Sequence, residues 1–111
     1  MPTDPEPLKR LGRYSGPGTL ILASLAGGSK HGYALAKDIE SFAGIRLSPG
    51  TLYEALTRLE TQRLIEPLPA EDRRRPYRLT AFGTTTIRSL LDAQRHVADV
   101  GLGRLAADRE Q

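Results

Sequence analysis

Apolar residues fall along the chain in blocks of different period. Leu20-Ile21-Leu22-Ala23-Ser24-Leu25-Ala26 is nearly continuous and predicts a short, heavily buried helix. Pro17 sits where a first helical turn tolerates proline, Ser15 can cap it, and Gly27-Gly28 ends it. Tyr33, Leu35, Ala36, Ile39, Phe42 and Ala43 then recur at helical spacing, with Lys37, Asp38 and Glu40 on the other side. This second helix is expected to pack Tyr33 inward and to close at Gly44. Leu47-Ser48-Pro49-Gly50 is the sharpest local signal: Ser48 can accept free amides of the next turn, and Pro49 occupies the first helical position. A third helix follows, with Leu52, Tyr53, Leu56 and Leu59 as its inward stripe and Thr51, Glu54, Thr57, Arg58 and Thr61 outward.

The period then shortens. Leu64-Ile65-Glu66-Pro67-Leu68 is compatible with a strand, but Pro67 and Pro69 remove ladder donors and confine it to an edge or to its very end. A polar loop carrying Arg73-Arg74-Arg75 leads to Pro76-Tyr77-Arg78-Leu79, a second strand with Tyr77 and Leu79 on one face. The pair makes a hairpin with a basic tip. Thr80 is an N-cap for one long helix from Ala81 to Ala107, with Phe82, Ile87, Leu90, Leu91, Gln94, Val97, Ala98, Leu102 and Leu105 along one side. Gly101 and Gly103 weaken its last third. Residues 1–15 hold Pro2, Pro5 and Pro7 with little apolar surface and are expected to form a flexible arm. Residues 16–80 and 81–111 are thus a helix-and-hairpin domain and a C-terminal helix with its tail.

A chain of 111 residues, 39% hydrophobic and 26% charged, has room for one core. No apolar run reaches the length of a spanning helix, and the start lacks the basic-then-apolar order of a signal peptide, so a cytoplasmic location without membrane attachment is expected. There is no Cys and only His31 and His96, which excludes a disulfide framework, a thiolate metal site and an imidazole-rich one. Gly27-Gly28-Ser29-Lys30 lacks the spacing of a phosphate-binding loop, and no paired nucleophile and base or cofactor fingerprint is present. The expectation is a protein without catalytic activity or cofactor. The formal charge of +3 suits a polyanionic partner. Lysine occurs only at Lys9, Lys30 and Lys37, and the remaining cations are arginine, which genomic base bias explains as well as function does. Low aromatic content and the lack of Trp argue against single-strand binding by base stacking.

Three short helices followed by a two-stranded hairpin is the order of a winged helix-turn-helix, a mainly α fold with a small β-hairpin. His31-Gly32-Tyr33-Ala34-Leu35, then Leu47-Ser48-Pro49-Gly50-Thr51-Leu52-Tyr53-Glu54-Ala55-Leu56-Thr57-Arg58-Leu59-Glu60, then Leu64-Ile65 and Tyr77-Arg78-Leu79-Thr80-Ala81-Phe82-Gly83 closely resemble the PadR family of bacterial transcriptional regulators. The resemblance runs from Leu20 to Leu91. It implies a dimeric DNA-binding repressor of the smaller subfamily, which has a single C-terminal dimerisation helix. The family usually has paired aromatics before its second wing strand, whereas Pro76-Tyr77 stands here. Some smaller members hold aromatic drugs between subunits through a C-terminal Trp; this chain has none.

On this reading the helix from Pro49 enters a major groove, with Ser48, Pro49, Gly50 and Thr51 forming a small first turn that lets backbone amides approach a phosphate. Tyr53 adds a hydroxyl at the rim or packs into the core. Arg58 reaches a phosphate or pairs with Glu54 four residues earlier. Arg73, Arg74 and Arg75 lie over the backbone or adjacent minor groove, or form a solvated loop with Glu71 and Asp72. His31 is expected to be a hydrogen-bonded structural residue at a helix entry. Ile87, Leu90, Leu91, Gln94, Val97, Ala98, Leu102 and Leu105 form the dimer interface, the alternative being that some fold back on their own domain. The expected partners are a two-fold symmetric double-stranded DNA operator, a second copy of the chain and a small-molecule effector of unspecified identity. A winged-helix module docking a protein instead of DNA is the alternative from another class.

Overall fold

The structure, a computed structural model, describes residues 16–109. The expected flexible arm and Ser15 lie outside the described residues. Helix α1 (Pro17–Leu25) begins on its proline with Gly16 at the cap and no side-chain cap bond. Strand β1 (Lys30–His31), helix α2 (Gly32–Ala43), helix α3 (Pro49–Thr61), strands β2 (Ile65–Pro67) and β3 (Pro76–Leu79), and helix α4 (Ala81–Arg109) follow. The expected helix starts hold. Ser48 accepts the Thr51 amide, Thr80 accepts the Gly83 amide, and Gly44 closes α2 in the left-handed conformation.

The core is one cluster. Ile21, Leu22 and Leu25 of α1 meet Leu35 and Ile39 of α2, Leu52, Ala55, Leu56 and Leu59 of α3, and Leu64 and Ile65, with Ile87 of α4 completing it. Beside it Ser24 Oγ donates to Asp38 at 2.5 Å, while Lys30 Nζ donates to the Ser24 carbonyl at 2.6 Å, so one polar group ties α1, β1 and α2. The antiparallel sheet has three strands in the order β1-β3-β2, not two. The added strand pairs Lys30 with Tyr77 and His31 with Pro76. Strand β2 is an edge, where Pro67 is tolerated, and the Leu68 amide just beyond it still donates to the Pro76 carbonyl at 2.8 Å.

Tyr33 and Phe42 differ from expectation, being 63% and 52% exposed; of the two places open to Tyr53 it takes the rim, at 53%, and Phe82 on α4 is 60% exposed. In α2 the buried positions are Gly32, Leu35 and Ile39, which leaves Tyr33 and Phe42 on the flanks of the stripe; Lys37 Nζ lies 5.5 Å from the Tyr33 ring centre. In α3 the inward place falls to Ala55. Helix α4 continues through Gly101 and Gly103 to Arg109, making the molecule 60 Å long and 27 Å across.

Two junctions orient α3 and α4. Helix α3 ends with the Leu64 amide bonded to the Leu59 carbonyl and the Arg63 amide to the Glu60 carbonyl, a Schellman closure with Arg63 at φ 63° where glycine is the usual residue. The Leu64 carbonyl then accepts the Thr80 amide at 3.1 Å, and Gly83 lies so close that an added Cβ would collide with that same oxygen. Glycine is required there by contact, not by torsion.

Candidate nucleic-acid interface

Ser48, Pro49, Gly50 and Thr51 are all exposed at the start of α3. Ser48 Oγ accepts the Thr51 amide at 3.2 Å and donates to Thr51 Oγ1 at 2.9 Å. Its capping role is therefore observed, and its proton is directed at Thr51, leaving the threonine hydroxyl proton to point elsewhere. A Cβ on Gly50 would meet nothing within 4 Å, so the backbone of this turn is open to a ligand's approach. Arg58 pairs with Glu54 at 3.5 Å across one helical turn, both side chains largely exposed, a contact of small energetic weight.

The wing is built on a tight turn. Glu71 and Arg74 exchange backbone hydrogen bonds at 2.6 and 2.8 Å, and the central residues Asp72 and Arg73 have φ of 49° and 68°. Positive φ at both positions marks a type I′ turn, which favours Asn-Gly. Asp tolerates its place, but arginine at the second costs backbone energy that glycine would avoid.

Strand β1 brings this wing to α3. Between them lies a cleft of about 450 Å³ lined by His31, Gly32, Tyr33, Tyr53, Arg73, Arg74, Arg75 and Tyr77. Tyr53 lies against Gly32, its hydroxyl 2.7 Å from where a Cβ there would be. Burial pushes the Tyr77 phenol above its usual pKa, Glu60 and Tyr53 add to the rise, and Arg75 opposes it. The side chain thus stays a neutral donor throughout the physiological range. Among the described residues, Arg46, Arg58, Arg78 and Arg95 each form an ion pair, whereas Arg73, Arg74 and Arg75, like the scattered Arg63, Arg88 and Arg104, form none; the wing is where such arginines are clustered. Sequence reasoning found the basic tip but not its proximity to His31, because the two are 43 positions apart and β1 has no alternation to announce it.

The expected dimer residues divide. Ile87 is 2% exposed in the core of its own chain and is no interface residue; α1 and the sheet already cover it. Leu90 is half-buried against the same core and Gln94 is half-buried. Leu91 is 38% exposed, Val97 63%, Leu102 65% and Leu105 64%, with Ala98 also exposed. No helix among the described residues is long and apolar enough to cross a membrane.

Three packed helices, a small sheet with a basic wing and a projecting terminal helix define a winged-helix protein. The chain belongs to the transcriptional regulator PadR-like family, whose pattern it matches over residues 21–89. A transcriptional regulator from Clostridium thermocellum is 27% identical with a TM-score of 0.69, the match covering 83% of this chain and 90% of that one. A PadR family transcription regulator from Clostridium difficile is likewise 27% identical with a TM-score of 0.69, over 76% of this chain and 92% of that one. An uncharacterized 37.1 kDa protein in transposon TN4556 of Streptomyces fradiae is 47% identical over 77 residues, 69% of this chain. The aligned region is 21% of that relative's length.

Proposed function

We propose that this transcriptional regulator is a homodimeric, sequence-specific DNA-binding repressor that occludes a two-fold symmetric site. One observation carries the reading: the three wing arginines, without ion-pair partners among the described residues, cluster on the same cleft as α3, whose first turn is small and exposed. Three guanidiniums gathered on one cleft beside α3 are available to phosphates. Helix α3 supplies base contacts from Thr51 and its neighbours, and the wing supplies backbone contacts. The exposed apolar residues of the second half of α4, from Val97 to Leu105, supply the surface for a second copy. An effector would regulate such a dimer only by binding one arrangement of the two α3 helices more tightly than another.

Selection of bound fragments from a random DNA pool tests all of this at once. The expected product is an inverted repeat with half-sites about one duplex turn, roughly 34 Å, apart. Replacing Arg73, Arg74 and Arg75 together by Ala should weaken binding to every sequence and flatten the salt dependence by about 0.9 log units for each phosphate no longer neutralised. Thr51→Ala should cost about 1 to 3 kcal/mol at particular base pairs. A stable monomer selecting an asymmetric site overturns the dimeric reading. Absence of any salt-sensitive DNA retention favours a protein-docking module.

A further inference from the structure

We propose that His31 and Arg74 together hold one backbone phosphate of bound duplex DNA, so that α2 as well as α3 and the wing is anchored on the target; this rests on the DNA-binding reading above. The inference starts from hydrogen-bond polarity. His31 caps α2 by accepting the Ala34 amide on Nδ1 at 3.4 Å. A neutral imidazole accepting on Nδ1 carries its proton on Nε2. That nitrogen lies 3.5 Å from Nη1 of Arg74, a group that can only donate. In the tautomer that caps α2, two donors therefore face one another with no acceptor between them. Tyr53 lines the same cleft, its hydroxyl packed against Gly32 and without a hydrogen bond among the described residues.

An oxyanion would satisfy both facing donors at once. Arg73 and Arg75 line the same cleft and reinforce the preference for negative charge. Glu71 and Asp72 line a second cleft with His31, Arg74 and Pro76, whereas none of the residues lining the cleft shared with α3 is a carboxylate, so an anion is favoured from the α3 side. A duplex phosphodiester beside a helix in the major groove has the required charge and reach. His31 thus combines its structural cap with a contact role, and β1, which fixes it opposite Pro76, sets the width of the seat.

The test uses the selected operator with single phosphates replaced by neutral methylphosphonates, bound by the full chain. Wild type should show one position per half-site where replacement costs about tenfold in affinity, the worth of a hydrogen-bonded charged contact. Arg74→Ala should lose most of that penalty, and His31→Asn should lose part of it. Asn is a preferred N-cap, so the fold and melting temperature of His31→Asn should be retained. The double variant should bind no more than about twofold worse than Arg74→Ala alone, because both side chains serve one phosphate. An undiminished penalty in His31→Asn overturns the seat while leaving DNA binding intact, and wild type that retains no DNA overturns both readings. Perturbation of the His31 ring resonances by inorganic phosphate at constant ionic strength, with no methylphosphonate effect at any position, assigns the seat to a free phosphate and overturns the duplex assignment.

Discussion

Helix α4 has two halves with similar apolar content and opposite fates. In the first, Gly83 touches the Leu64 carbonyl, Ile87 is sealed in the core and Leu90 leans on it. In the second, Val97, Leu102 and Leu105 are each more than three-fifths exposed. Nothing in the side chains distinguishes Ile87 from Leu102; what differs is whether α1 and β3 lie alongside. Burial is a property of the neighbourhood, and an apolar stripe records only that something is to cover it.

The contrast can be broken from either side. Gly83→Ala should have the largest effect, because the new methyl meets backbone that cannot swing aside; a loss of about 3 kcal/mol or more is expected, measured by urea unfolding. Ile87→Ala should cost about 2 to 5 kcal/mol in the same measurement, through the cavity it leaves. Leu102→Asp with Leu105→Asp should leave the monomer's own unfolding within about 0.5 kcal/mol yet abolish the dimer in sedimentation velocity. If that variant sediments as the wild type does, the exposed half is covered by something other than a twin. Arg63→Gly sharpens the contrast between strain and function: relief of the left-handed conformation should add about 1 kcal/mol. The smallest effect is alkaline. Because burial raises the Tyr77 phenol, its contribution is complete below the ordinary phenol pKa and is lost as pH rises through the folded value; Tyr77→Phe should flatten that decline.

Local chemistry was legible where it completes itself within a few residues. Ser48 with Pro49, Gly44 after Ala43, and Thr80 before Gly83 each satisfy orphan amides or a left-handed turn using neighbours in sequence, so the boundaries of three helices follow from them. Helical phase was less informative at the edges of a stripe. Tyr33, Phe42 and Tyr53 are one position off the buried line, and a residue there turns in or out according to which element packs against it. Strand β1 was not legible at all: two residues have no period, and their pairing exists only because β3 arrives after two helices and another strand. For the candidate interface, the arginine run and the capped turn were visible as residue types. Their assembly into one cleft with His31 was not, since it depends on that same strand.

The Leu64 carbonyl receives Thr80 on one side and is pressed by Gly83 on the other, directly after α3 has closed through Arg63. Thr80 Oγ1 also donates to the Arg63 carbonyl at 2.7 Å, so the root of the long terminal rod is fastened directly to the close of the short probe by two neighbouring carbonyls. Were two copies to pair along the rod, as proposed above, the seam between them would bear on the angle of each probe through this fastening.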